Sequence, residues 1–334
     1  MRGNLSEGKT KSKEDFSITE TNKSAKAISD EVSSVVLGKE STIEMLMAGV
    51  LANGNILFED FPGLAKTLMS NTLADALGCE FKRIQFTPDL LPADITGSYF
   101  YDPEKNKFTF RKGPIFCNIL LADEINRAPP KVQSALLESM QEKQVSIHGE
   151  TFQLEKPFLV LATQNPIENE GTYKLPEAQI DRFALKILID YPTKDQEIEI
   201  IEKNTSNLQI KVNPIVELKQ ILEIQKFNEK IYADTIILKY VASLIDATRN
   251  PKKYELDLEN IIEYGASPRA SIWLIKAAKA NAMINGRGYV IPDDIKQVAH
   301  EVLRHRLILT FEAEAEEVNS DKVIDIILEK IPSP

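Results

Sequence analysis

Short apolar runs alternate with polar, helix-patterned stretches along this chain, and that order predicts an α/β fold. Ile56-Leu57-Phe58, FKRIQF at 81–86, NILLA at 118–122 and FLVLA at 158–162 read as strands. Between them, LMSNTLADAL at 68–77 and PPKVQSALLESMQEKQ at 129–144 carry helical periodicity, the second with Pro at its start. Alternation around a polar D-P-E-K-N-K turn, with Tyr99 and Tyr101 before it and Phe108 and Phe110 after, predicts a hairpin. A second hairpin over 145–154 turns at His148-Gly149. Upstream, residues 1–22 are polar and read as a mobile arm, and helical periodicity begins near Ala25. Ser41, with Glu44 three residues on, reads as the cap of the helix that Gly54 ends. From Tyr191-Pro192 the pattern turns helical, with candidates over 232–248 and 272–284. The expected division is an αβα unit over 23–190 and a helical unit over 191–334.

The junction after the first strand reads NILFEDFPGLAKT from Asn55. Strand, tight turn, Lys-Thr and helix is the setting of a phosphate-binding loop, whose backbone N–H groups converge on an anion at a helix N-terminus. Pro62, Gly63, Leu64 and Ala65 would form the loop, with Leu68 following in the helix. Lys66 would reach the β- and γ-phosphates of ATP, and the Thr67 hydroxyl would hold Mg²⁺. Asp60 and Ala65 stand where the two motif glycines belong. The alternative is a plain strand–turn–helix corner with a solvated lysine.

The strand at 118–122 runs into Asp123-Glu124. Carboxylates at the C-terminal edge of a parallel sheet lie where open α/β folds bind ligands. Asp123 suits the Mg²⁺ shell, and Glu124 the orienting and activating of water. The 158–162 strand ends in Thr163-Gln164-Asn165-Pro166, which puts Asn165 beside the acids as a ligand for water, or in an Asx turn. LPEAQIDRF at 175–183 puts Arg182 at the end of a short helix. It suits an arginine finger reaching a neighbouring subunit's nucleotide, or a surface cation. Ser267-Pro268-Arg269 opens the helix of Trp273, and Arg269 suits a γ-phosphate contact or a plain first-turn surface cation; a cation there is locally unfavourable, which slightly favours the functional reading. His148 reads as a turn residue, and His300 and His305 have no metal-ligand spacing.

Composition narrows the partners. The 334 residues are 43% hydrophobic and 27% charged, globular values, with a net charge of −10. An acidic chain lacks the electrostatic footprint of a duplex-binding protein, so nucleic acid is not expected as partner. Cys79 and Cys117 have no metal spacing and suit buried free thiols in a reducing compartment. With no apolar stretch of membrane-span length and no apolar N-terminal region, the expectation is a cytoplasmic protein.

The motifs FPGLAKT, FTPDLLPADITG, GPIF, LLADEINRAPPKVQSALLESMQE, ATQNP, LPEAQIDRF and GASPRA follow in order from 61 to 270. In that combination the sequence resembles the MoxR group of AAA+ ATPases, in the helix-2-insert clade. The resemblance implies a P-loop AAA+ αβα domain with a C-terminal helical lid, the 86–116 segment being the insert and 145–154 the hairpin before sensor 1. It implies that Lys66 and Thr67 are the Walker A pair, Asp123 and Glu124 the Walker B pair, Asn165 sensor 1, Arg182 the arginine finger and Arg269 sensor 2, acting in cis or in trans. The segment 35–38, with Gly38, would lie near adenine. Head-to-tail rings, often hexamers, are implied, as is ATP-driven remodelling of a protein client, frequently one with a von Willebrand factor A domain. A nucleic-acid motor and a nucleotide-binding switch with little turnover are the other readings.

Overall fold

The computed structural model describes residues 17–60, 63–104, 106–165, 172–205 and 212–334. The N-terminal half runs α1 (Ile18–Val35), α2 (Glu40–Leu51), β1 (Ile56–Asp60), α3 (Lys66–Ala76), β2 (Phe81–Gln85), α4 (Pro92–Thr96), β3 (Gly97–Asp102), β4 (Lys107–Lys112), β5 (Ile119–Asp123), α5 (Pro130–Glu142), β6 (Gln144–Ile147), β7 (Glu150–Gln153), β8 (Leu159–Gln164), α6 (Glu177–Ile180) and β9 (Leu185–Ile189). Helices then dominate: α7 (Lys194–Thr205), α8 (Leu218–Lys230), α9 (Thr235–Arg249), β10 (Ile262–Tyr264), α10 (Pro268–Ile284), α11 (Pro292–Leu303), β11 (Ile308–Leu309), α12 (Phe311–Ala315) and α13 (Ser320–Lys330).

The central sheet has the order β2-β5-β8-β1-β9 and every pairing is parallel. Its central strands β5 and β8 are buried on both faces, as crossover connections require, whereas the edge strands β2 and β9 keep exposed positions such as Arg83 and Leu188. Ile56, Phe58, Leu121 and Leu161 face one core shared with α1, α2, α3 and the C-terminal helices. Leu57, Leu120, Val160 and Ala162 face another with α5 and the two hairpins. Parallel register aligns the strand ends: Gln85 pairs with Asp123, Ala122 with Ala162, and Glu59 with Gln164. The polar residues that follow the apolar runs therefore share one edge, an α/β ligand-binding edge.

Several boundaries differ from the sequence reading. Residues 18–22, read as part of a polar arm over 1–22, are the start of α1, which Ser17 caps in a reciprocal box with Glu20; the rest of that reading, 1–16, lies outside the described residues. Ser41 is not a cap, since α2 begins at Glu40 with Lys39 at its N-cap and no side-chain cap bond. There the chain is aimed by left-handed Gly38, at φ +67, and by the Lys39 ammonium, which donates to the Asp190 carbonyl. The edge strand β9 and the small ladder of β10 with β11 went unread in the sequence. No helix among the described residues is long and apolar enough to cross a membrane. Both cysteines are buried free thiols, and burial pushes Cys79 up to about 11 and Cys117 to about 12.

The two hairpins pack on one another. Tyr99 and Phe110 pair across β3 and β4 and turn inward, where Phe110 stacks on Phe152 of β7 at 4.3 Å between centroids. Farther out, Tyr101 and Phe108 pair edge to face at 5.6 Å and are 53% and 68% exposed. The base of the hairpin is a tight crossing. A Cβ on Gly97 would lie 2.2 Å from the Arg111 carbonyl oxygen, so only glycine fits there.

Candidate functional site

The loop after β1 delivers Lys66 and Thr67 as the first residues of α3, both half-buried, where helix N–H groups have no intrahelical acceptor. Pro62 lies outside the described residues; Gly63 takes φ +90 with open space around it, and Leu64 is buried. Ala65 is also left-handed, at φ 60. Asp60 is strand, in register with Ile189, so the position needs none of the left-handed freedom of glycine. Ala65 carries a backbone cost of roughly 1–2 kcal/mol that a glycine would not. A groove of about 420 Å³ beside α3 is lined by Val35, Leu68 and Val212, next to the 35–38 segment. Gly38 itself packs against α7, its Cβ position 2.5 Å from Gln196 Cδ.

Two strands away, Asp123 ends β5 and is 6% exposed. A buried carboxylate needs charge compensation. Arg83 of β2 supplies it, donating to Asp123 Oδ2 from Nη2 at 2.6 Å and Nε at 3.1 Å. Thr163, fully buried at the end of β8, donates from Oγ1 to Asp123 Oδ1 at 2.7 Å and accepts from the Glu124 N–H at 2.7 Å. That single hydroxyl fixes both acids to the neighbouring strand. Glu124 sits at φ 56, the second non-glycine left-handed residue at this edge. Its Oε2 accepts from Gln85 Nε2 at 2.8 Å and pairs with Arg127 Nε at 3.0 Å. Asn165 follows β8, between the acids and the Lys66 loop, and is 7% exposed; its carbonyl accepts from Asn126 Nδ2 at 3.3 Å. Asn165 also lines a cavity of about 470 Å³ that passes Glu59 and Lys186 towards His305.

Arg182 and Arg269 lie elsewhere. The β1–β9 register runs from Ile56 opposite Leu185 to Asp60 opposite Ile189. Arg182 precedes β9 and thus stands at the N-terminal edge, about 13 Å of strand from the end that carries the loop. Its Nε is buried without a hydrogen-bond partner among the described residues. Arg269, in the first turn of α10, joins it there: its Nη1 donates to Asp181 Oδ2 at 3.1 Å. Burial pulls the Arg306 guanidinium down to about 10 against the pull of Asp181, so it stays cationic at neutral pH. His305, buried next to it, is held well below the ordinary imidazole value by burial and then by Arg306. It is a neutral neighbour whose Nε2 lies 3.3 Å from the Phe183 carbonyl, while His300 meets Asp325 at 2.9 Å.

The sequence reading therefore placed Lys66, Thr67, Asp123, Glu124 and Asn165 on one edge, where the structure brings them together. It missed Arg83, Gln85, Thr163, Arg127, Asp181 and Arg306. The one local signal was the polar phase of FKRIQF, which alternates Arg83 and Gln85 with buried Ile84 and Phe86.

Residues 55–185 match the model of the ATPase family associated with various cellular activities (AAA), and 255–327 match the AAA lid domain. Fold and site thus define a P-loop protein of the AAA+ class with a helical lid. The chain is 45% identical to the chaperone MoxR1 of Mycobacterium tuberculosis over 91% of its length and 81% of that protein's. It is 32% identical to the protein MoxR of Paracoccus denitrificans over 90% of this chain and 93% of the relative. A solved structure from Cytophaga hutchinsonii superposes with a TM-score of 0.90 at 48% identity, covering 95% of this chain and 97% of that one. The chain belongs to the MoxR family of AAA+ ATPases.

If Lys66 holds phosphate, Lys66→Ala should weaken ATP binding at least tenfold, roughly the loss of one charge-assisted contact. The fold should survive, because the residue is only half-buried at a loop–helix junction. Isothermal titration calorimetry with melting as control checks this, and unchanged affinity would remove Lys66 from the phosphate site.

Proposed function

We propose that this chain hydrolyses ATP with Mg²⁺ at a site shared between neighbouring subunits of a head-to-tail ring, a hexamer by family resemblance, and uses the cycle to remodel a protein client. One observation carries the reading: Lys66, Thr67, Asp123, Glu124 and Asn165 share one edge of the sheet, while Arg182 and Arg269 share the other. Lys66 and the loop N–H groups bind the β- and γ-phosphates. Leu68 and the 35–38 segment with Gly38 flank the base. Glu124 orients water and takes its proton, and Asn165 holds that water in line. Asp123 already carries a cation, the Arg83 guanidinium, and a carboxylate with a hydroxyl is a donor set that suits Mg²⁺. Thr67 and Asp123 would hold Mg²⁺, whose chemistry is neutralising charge on the β- and γ-phosphates. Arg182 and Arg269 of a neighbour stabilise the charge that develops on the transferred phosphoryl group. Multiple-turnover phosphate release, with Mg²⁺ and with excess chelator, tests the reaction. Release beyond one equivalent per subunit in Mg²⁺ alone is expected, and none in either condition would leave a nucleotide-binding switch.

The client surface in this reading is the outer part of the β3–β4 hairpin. Tyr99 and Phe110 are taken up by the protein's own packing, whereas Tyr101, Phe108 and Phe100 are each at least half exposed. Replacing Tyr101 and Phe108 together by Ser should leave melting and basal phosphate release within about twofold of wild type, as surface changes do. Capture of client by the double variant should be lost, as measured by pull-down on a Glu124→Gln background. A client with a von Willebrand factor A domain is the one the family resemblance suggests, and retained capture would move the contact off the hairpin.

A further inference from the structure

The turn that carries Arg182 has little rigidity of its own. It follows α6, which is four residues long, too short to hold itself. What holds it comes from the lid. Arg306, between α11 and β11, has a side chain 1% exposed and donates from Nε to Asp181 Oδ1 at 2.8 Å. Its Nη2 donates to the Asp181 carbonyl at 3.1 Å and the Phe183 carbonyl at 2.5 Å, and its Nη1 to the Ala184 carbonyl at 3.1 Å. One guanidinium thus grips the backbone on both sides of Arg182. From the start of α10, Ser267 Oγ lies 3.1 Å from both Asp181 carboxylate oxygens, and Arg269 Nη1 reaches Oδ2 at 3.1 Å. Two separate lid elements therefore converge on the single carboxylate next to Arg182.

We infer that Asp181 and Arg306 are positioning residues, which clamp the Arg182 turn to the lid so that the lid of one subunit sets the hydrolysis rate at the site it completes on its neighbour. This rests on the split-site reading above. Both lie at the sheet edge opposite the subunit's own Lys66 loop. A fork that satisfies several carbonyls fixes orientation as well as place, and a displacement of about 1 Å at a catalytic group costs up to roughly a hundredfold in rate. A buried ion pair serving only stability is the competing explanation, and the two part company in mixed rings.

The experiment uses Asp181→Asn in the full chain, alone and mixed with Lys66→Ala or with Arg182→Ala, with co-assembly followed by light scattering. The clamp predicts ATP affinity within about twofold of wild type and a kcat lower by roughly tenfold to a hundredfold, with KM little changed. Lys66→Ala subunits, which keep an intact finger, should restore activity to the Asp181→Asn pockets; Arg182→Ala subunits should not. Turnover of Asp181→Asn at the wild-type level overturns the inference. So does lost turnover accompanied by lost ATP binding and no recovery with Lys66→Ala, the signature of a purely structural role. The Arg182→Ala with Lys66→Ala mixture is the control. If it recovers, a negative Asp181→Asn result sinks the clamp alone; if it does not, the split site falls and the clamp with it.

Discussion

Glu124→Gln should bind ATP as wild type does and release phosphate slower by roughly 10²–10⁴, the range general-base catalysis contributes. The amide keeps the shape of the carboxylate but takes no proton from water. The surroundings favour a clean substitution. The Glu124 N–H is held by Thr163 Oγ1 at 2.7 Å whatever the side chain is. The side chain is 23% exposed, and its partners, Gln85 Nε2 and Arg127 Nε, are donors that the amide oxygen can still accept from. The left-handed backbone at φ 56 is also unchanged. Calorimetry in the presence of Mg²⁺ should give one ATP bound per subunit, and a coupled phosphate assay the lost turnover. Turnover within a few-fold of wild type would assign the base elsewhere.

Arg182→Ala should carry the larger loss. A finger that stabilises developing charge is worth roughly 10³–10⁵ in nucleotide hydrolases. ATP binding should be unaffected, because Arg182 lies at the sheet edge opposite the subunit's own loop. Loss of binding in parallel with loss of turnover would show that the side chain holds structure rather than charge. Its Nε is already buried without a partner among the described residues, so no hydrogen bond is lost at that atom. The expected signature is an unchanged melting temperature with a lost kcat.

The parts of the site legible in the sequence were those written locally. An apolar run followed by Asp123-Glu124, or by Thr163 to Asn165, announces a strand tip, and Pro-Gly before Lys66-Thr67 announces a turn into a helix. What stayed hidden depends on register. Arg83 pairs with Asp123 only because β2 and β5 run parallel with Gln85 opposite Asp123. Arg306 meets Asp181 across 125 residues, and nothing local to either announces it. The boundary errors have local causes. Ser41 and Glu44 fit a capping box, yet the turn at Gly38 and the tether of Lys39 start α2 earlier. The strands β10 and β11 are three and two residues long, too short for alternation to show.

A hydrolytic site completed by the next subunit makes specific activity depend on protein concentration, to be measured at saturating ATP and Mg²⁺ with mass from light scattering on the same samples. Phosphate release per subunit should rise with concentration and track the growth of assembled species. A specific activity that stays constant while the mass changes would contradict it.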